Sequence, residues 1–194
     1  MTVRTYAALA GDLRTRPARL GPVRLVAVDG PAGSGKTTFA ARLATEVAAQ
    51  VVHVDDLLKG WRDLPFMWPR LEEWVLGPLR NGRNAAYRIY DWHAERFRDE
   101  WVPLPVPEVL IVEGVGSARA AVADDLTLAI YVTADRELRL TRGIERDGEA
   151  LRGEWLRWMA DEEVHFAADR TRERADLVVD GSQESPGQFV ILGG

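Results

Sequence analysis

The sequence predicts an α/β fold, a parallel sheet of about five strands covered by helices on both faces. Short apolar runs alternate along the chain with segments whose apolar residues recur at helical period. A glycine-rich loop joins the first clear run to the first clear amphipathic helix. The length of 194 residues, 46% of them hydrophobic, suits one domain with one contiguous core.

The elements follow in order. Residues 5–14 have helical composition with Tyr6, Leu9 and Leu13 on one face, and Pro17 and the Gly21-Pro22 pair interrupt it. Residues 1–21 therefore read as an N-terminal helical extension. Residues 23–28 form an apolar run ending at Asp29 and Gly30, as expected of a strand buried on both faces. Directly after the glycine loop, Phe39, Ala40, Leu43, Ala44 and Val47 recur at helix period. Residues 51–54 read as a strand, 71–80 as a helix, 109–112 as a strand ending in Glu113-Gly114, 118–125 as a helix and 126–132 as a strand. Two helical patterns, 135–146 and 154–168, flank the Gly148 and Gly153 region, and 175–179 is the last strand. Residues 182–194 are turn-rich except for 189–192 and read as a C-terminal tail, mobile or adding a short edge strand.

Composition excludes several function classes. A formal charge of −5 repels a polyanion, so no nucleic-acid partner is expected. The absence of cysteine excludes disulfides, thiolate metal sites and cysteine nucleophiles. His53, His93 and His165 lie too far apart in sequence to suggest a ligand cluster. The first residues lack the apolar run of a secretory signal, and no apolar stretch approaches the ~20 residues that span a bilayer. A cytoplasmic protein without membrane association is expected, as a monomer or a homo-oligomer. Lys36 and Lys59 are the only lysines, which makes the one in the glycine-rich loop stand out.

Gly30, followed after four residues by Gly35, Lys36 and Thr37, is the full P-loop pattern, with the strand before and the helix after that the motif requires. The segment Gly30, Pro31, Ala32, Gly33, Ser34, Gly35, Lys36, Thr37 and Thr38 is expected to wrap a β-phosphate with converging backbone N–H groups, aided by the positive end of the following helix. Lys36 neutralises charge between the β- and γ-phosphates in this reading, and the Thr37 hydroxyl ligates Mg²⁺. The fold expected is thus that of the P-loop NTPases, with ATP and Mg²⁺ as cofactors. A guanine-nucleotide switch is excluded, because no Asn-Lys-x-Asp segment exists.

Three acidic positions and an arginine face extend the site. Asp55 and Asp56 follow the second strand directly, at the carboxyl edge where open α/β sheets bind ligands. Asp55 is the candidate general base for an attacking hydroxyl, and Asp56 a metal or water contact; the alternative is two solvated aspartates capping a turn. Glu113 closes its strand at the same edge and suits a water of the Mg²⁺ shell, so that Thr37, Asp55, Asp56 and Glu113 form the candidate metal set; a merely structural glutamate is the alternative. Arg139, Arg142 and Arg146 are spaced to share one helical face. Closing over ATP as a lid of about residues 139–153, they would stabilise charge on the transferring phosphoryl group. Otherwise they form a solvated face paired with Glu145, Asp147 and Glu149.

Taken together, these residues resemble the uridine kinase family of P-loop small-molecule kinases, over residues 26–180. Val28 to Thr38 looks like the family's first strand and P-loop, and His53-Val54-Asp55-Asp56-Leu57 is similar to the segment whose first aspartate is the catalytic base. Val112-Glu113-Gly114 looks like its metal-associated glutamate segment. Arg139 to Asp147 looks like its lid, with Gly143 where the family often has a further arginine. Arg174 to Asp180 resembles the closing strand on the adenine side. The resemblance implies an ATP-dependent phosphotransferase whose acceptor is a small-molecule hydroxyl.

The acceptor region departs from that pattern. The family aspartate of a Phe-Asp-His-Pro stretch is Met67 in Phe66-Met67-Trp68-Pro69. Tyr90-Asp91-Trp92 matches a family segment, but the histidine and arginine expected after it are Glu95 and Phe97. Trp61, Tyr90 and Asp91 are the acceptor candidates. Trp61, Trp68, Trp74, Trp92 and Trp101 fall in this stretch and either stack on a flat apolar ring or belong to the core. Arg62, Arg70, Arg83 and Arg88 lie here too; their convergence would indicate an acceptor that carries a phosphate or carboxylate. Three readings stay open: a hydroxyl-directed kinase, a nucleotide-type kinase with a phosphate acceptor, and an ATP-binding regulatory module.

Overall fold

The computed structural model of the chain describes residues 1–183 and 185–193. It begins with strand β1 (Thr2–Thr5), helix α1 (Tyr6–Thr15), β2 (Arg24–Asp29), α2 (Lys36–Val47) and β3 (Gln50–His53). A helical run follows: α3 (Trp68–Leu71), a π-helical segment (Glu72–Leu76) and α4 (Gly77–Arg80). Next come β4 (Ala85–Tyr87), β5 (Tyr90–Asp91), β6 (Arg96–Phe97) and β7 (Val102–Leu104), with β4 paired to β7 and β5 to β6. The remainder is β8 (Val109–Glu113), β9 (Leu126–Thr133), α5 (Arg136–Asp147), α6 (Arg152–Asp169), α7 (Thr171–Arg174), β10 (Leu177–Asp180) and β11 (Gln188–Gly193).

The central sheet has seven strands in the order β1-β11-β10-β9-β2-β8-β3. The stretch from β10 to β3 is parallel throughout and supplies the expected five strands. β2 lies inside it and alternates between two cores. Leu25 and Ala27 face one cluster, with Leu71, Leu79 and Trp158 from the helices on that side; Val26 and Val28 face the other, with Leu9 and Leu13 of α1 and Phe39 and Leu43 of α2. A strand buried on both faces needs apolar residues at successive positions, which is why β2, β8 and β9 read as continuous runs.

The ends of the chain differ from expectation. The N-terminal extension is a strand before it is a helix, and the tail is a strand inside the sheet. β11 pairs antiparallel with β10 on one side and β1 on the other. β1 is exposed at three of four positions, so it carries no apolar run, and pairing with β11 rather than local pattern makes it a strand. Within residues 182–194, Glu184 and Gly194 lie outside the described residues.

Two helical expectations also change. The helix expected at 71–80 begins at Trp68 and turns π-helical just before Gly77 and Pro78. Pro78 has no N–H to donate back and its ring crowds the carbonyl four residues earlier; a π-bulge accommodates both defects. Residues 118–125 make only a 3-10 turn, Ala120–Val122. The amides of Val122, Ala123 and Asp125 bond back three residues, to the carbonyls of Arg119, Ala120 and Val122, so the segment stays a tight turn.

Candidate active site

The carboxyl ends of β2, β3, β8 and β10 meet along one edge of the sheet. Register sets their heights: His53 of β3 lies beside Glu113 of β8, which lies beside Val28 of β2. The P-loop, the turn carrying Asp55 and Asp56, and Glu113 therefore emerge together. They line one cavity of about 930 Å³.

The loop after β2 is held from below. Asp29 is fully buried; its Oδ1 accepts from the amides of Gly30 (2.7 Å) and Gly116 (2.9 Å), and its Oδ2 from that of Ala118 (2.8 Å). Burial pushes its carboxyl up to about 6 against those three donors and Lys36. Gly30 has φ of 130°, and a Cβ there would lie 2.1 Å from the Val132 carbonyl oxygen, so only glycine fits between β2 and β9. Of the expected loop residues, Ala32, Gly33, Gly35, Lys36, Thr37 and Thr38 line the cavity, while Gly30, Pro31 and Ser34 are buried behind it. The Lys36 ammonium donates to the Pro31 carbonyl (2.9 Å), an intramolecular partner it would exchange for phosphate.

The acidic positions converge. Glu113 Oε1 accepts from the Thr37 hydroxyl (3.1 Å) and lies 2.6 Å from His53 Nδ1. Burial opposes ionisation of Glu113, but the His53 hydrogen bond, Lys36 and Thr37 outweigh it and hold the carboxyl below its ordinary range. The same hydrogen bond raises His53. Asp55 and Asp56 sit on the 3-10 turn Val54–Leu57, after β3. Asp55 is open to the cavity, yet the protein around it, followed by the charge of Glu113, raises its carboxyl against Lys36, Arg146 and His53. Asp56 is raised too, chiefly by desolvation. Among the described residues no three His, Cys, Asp or Glu side chains form an all-protein metal cage. The donors at hand, Thr37, Glu113, Asp55 and Asp56, are all hard oxygens, which fits Mg²⁺, an ion that keeps waters and shares substrate phosphates rather than sitting in such a cage.

The three arginines divide. Arg142 lines the cavity and donates to the carbonyls of Gly33 (3.2 Å), Gly181 (2.9 Å) and Ser182 (3.1 Å), tying the P-loop to the end of β10. Arg146 lines it as well, doubly hydrogen-bonded to Asp147 (2.8 and 2.9 Å). Arg139 does not reach the cavity. One to two turns nearer the start of α5, its buried guanidinium donates to Glu162 (2.7 Å) and the Ala134 carbonyl (3.2 Å). Glu162 in turn accepts from the Ala32 amide (2.7 Å) and the Trp158 indole (3.1 Å), so this pair braces the P-loop instead of facing phosphate.

At the acceptor end, Trp61 lines the cavity as expected, but Tyr90 and Asp91 do not. Asp91 Oδ1 caps the β5–β6 turn, accepting from the amides of His93 and Ala94 (3.0 and 2.9 Å), and Tyr90 is buried against Trp92 and Phe97. The hairpin that they stabilise presents Trp92, His93 and Glu95 in their place. Met67 is fully buried in the core. Of the remaining tryptophans in this stretch, Trp68 packs under Arg119 and Trp74 packs against Phe97 and Trp101.

Sequence reasoning missed His53, Glu162, Trp155 and Trp158. Glu162 carried a readable signal, since it falls on the same helical face as Trp155, Trp158 and Met159, where an acid must find a buried partner. His53 carried a weaker one, its place two residues before Asp55.

Comparison with known proteins bears on the family and the fold. The model of the Phosphoribulokinase / Uridine kinase family matches residues 66–179, more than half of the chain. A uridine kinase of Halobacterium salinarum is 26% identical over 181 residues, covering 81% of this chain and 80% of its own. The structure of a possible uridine kinase from Bacillus stearothermophilus superposes with a TM-score of 0.66 at 18% identity, covering 89% of this chain and 96% of that one. A D-glycerate 3-kinase from Cryptococcus neoformans has the same fold, with a TM-score of 0.55 at 16% identity and coverage of 95% and 99%. Among the described residues no helix is long and apolar enough to cross a membrane. With the P-loop, the carboxylates at the sheet edge and the matched family model together, the chain belongs to the phosphoribulokinase/uridine kinase family and is a P-loop phosphotransferase.

Proposed function

We propose that this chain transfers the γ-phosphate of ATP to a hydroxyl of a small molecule, with Asp55 as general base. The observation that carries this is the convergence of Asp55, Lys36 and Thr37 on one cavity that Arg142 and Arg146 also line. Asp55 takes the hydroxyl proton, a contribution of roughly 10²- to 10⁴-fold in rate. Lys36 and the backbone amides of Gly33 to Thr38 hold the phosphates, helped by the N-terminal end of α2. Thr37 and Glu113, with Asp55 and Asp56 nearby, would hold Mg²⁺, which supplies charge neutralisation between phosphate oxygens when bound. Arg146 approaches the transferred group as the last turn of α5 and the following 3-10 turn close as a lid, exchanging Asp147 for phosphate. Arg139 acts through Ala32 and Glu162 as a positioning residue.

Several features favour a hydroxyl acceptor over one that carries phosphate. None of Arg62, Arg70, Arg83 and Arg88 lines the cavity. Arg70 is engaged by Asp63 and the Leu57 carbonyl, and Arg88 by Asp99 and the Arg98 carbonyl. The direct test is ATP consumption with Mg²⁺ against a panel of nucleosides, nucleotides, vitamins, amino alcohols and sugar alcohols, with the product phosphate located by NMR. Stimulation by a hydroxyl compound, with a phosphate monoester as product, is expected. ATP that binds and is never transferred to any member would overturn the kinase assignment in favour of a regulatory ATP-binding module.

A further inference from the structure

We infer that the acceptor carries a positively charged nitrogen, an alkylammonium or protonated amine, seated against Trp61 and Trp92, which the buried Trp155 and Trp158 back to complete a box of tryptophans. This inference rests on the kinase reading above and narrows its substrate class.

The box is built around Trp61. Its ring centroid lies 5.7 Å from that of Trp92, 5.9 Å from Trp155 and 6.2 Å from Trp158, at interplanar angles of 73°, 68° and 79°. Rings set nearly perpendicular make walls, not a stack, and all four line the cavity. Three of the indole N–H groups are already used: Trp92 donates to the Asp55 carbonyl (3.2 Å), Trp155 to Asp147 (3.0 Å) and Trp158 to Glu162 (3.1 Å). Trp155 and Trp158 are buried and back the other two, so Trp61 and Trp92 offer a ligand ring surface and little hydrogen bonding, poor equipment for reading a neutral polar base. Ring faces with negative quadrupoles attract cations, and aromatic cages of this kind suit ammonium groups that cannot hydrogen-bond.

The charges agree. Asp55, Asp56 and Glu95 line the cavity together with Trp61 and Trp92, while Arg146 and Asp147 neutralise each other. The Arg146 guanidinium also sits 5.5 Å from the Trp155 ring centroid, so one ring of the box already holds a cation. Trp155 leaves no room for another side chain on α5 at this point: a Cβ on Gly143 would lie 2.5 Å from its ring, and only glycine permits the packing. An anionic acceptor would meet the Asp55 and Glu95 carboxylates here, whereas a cationic one is drawn in and aligned with its hydroxyl toward Asp55. Trp92 is 37% exposed and bonded to the Asp55 backbone, so the box and the base share a wall.

The experiment pairs binding with turnover on the full-length protein. Isothermal titration with tetramethylammonium and with uncharged 3,3-dimethylbutan-1-ol, at saturating MgATP, is expected to favour the cation by at least about tenfold. Trp61→Leu and, independently, the surface change Trp92→Leu should each remove that preference while ATP affinity is retained; Glu95→Lys should weaken it. In the ATP-consumption assay, amino alcohols should outpace uncharged isosteres of the same length. Equal or stronger binding of the uncharged probe, or a preference that survives both tryptophan variants, would overturn the inference while leaving the kinase reading intact. Cation binding with no stimulated transfer to any hydroxyl would overturn the acceptor role together with the kinase reading.

Discussion

Around the P-loop the cavity is lined by backbone and short side chains fixed by the ends of β2, β3 and β8; where we propose the acceptor sits, it is lined by rings from the loop at Trp61 and the β5–β6 hairpin, backed by α6. The donor end depends on spacing within a few residues. The acceptor end depends on how three distant segments pack. Reading phosphate therefore needs a local motif that many sequences share, whereas reading the acceptor needs a tertiary arrangement particular to this chain.

The division passes between the arginines of α5, and separating them breaks or sharpens the comparison. The largest effect is expected from Arg139→Met, which leaves the buried Glu162 without its charged partner under the P-loop. The loss of a partner from a buried pair typically costs about 3–5 kcal/mol, so urea denaturation should show a correspondingly lower stability. If the variant were as stable as the parent but slow in turnover, Arg139 would belong with the phosphate contacts after all. Arg146→Met is expected to do the reverse, with near-parental stability and a kcat lower by about 10²- to 10³-fold, the usual consequence of removing one transition-state donor. Stopped-flow single turnovers read this directly.

A smaller effect tests the seam between the two halves. Gly143→Ala drives a methyl group into the Trp155 ring, an overpacking that should cost about 1–3 kcal/mol and disturb acceptor KM more than ATP KM. Thermal denaturation and initial rates check both parts. The smallest effect is in pH. Asp55 serves as a base only when ionised, and its carboxyl is raised by desolvation and then by Glu113, so kcat/KM should fall with decreasing pH through a limb lying above that of a free aspartate. Arg146 is among the charges that lower Asp55, so the limb should move further up in Arg146→Met. A downward movement would contradict the proximity of the two groups.

Local pattern made most of the parallel sheet legible. β2, β8 and β9 are buried on both faces, and their apolar runs announce it. β1 was not legible as a sheet strand and β11 only as one alternative, a short edge strand at 189–192, because β1 exists through pairing with β11, which lies between it and β10. In the site, Glu113 ends a strand, Asp55 follows one closely, and Lys36 and Thr37 open α2 after the glycine loop, so local pattern alone put all four at the carboxyl edge of the sheet. Arg139 misled because spacing of three and four residues says which residues share a helical face, not how far along the helix the cavity extends. Tyr90 and Asp91 misled for a related reason: both belong to the hairpin that supports Trp92, and sequence proximity to a site residue does not separate support from contact. Trp155 and Trp158 lie some 60 residues beyond Trp92, and only the packing of α6 against the P-loop brings them to it.

The central claim, that one cavity joins a phosphate-binding loop to a carboxylate base, is tested most directly by Asp55→Asn. ATP affinity and acceptor-stimulated kcat should be measured on the same preparation. The expected result is an unchanged ATP dissociation constant with kcat reduced by roughly 10²- to 10⁴-fold. Full turnover in the variant would contradict the role of Asp55.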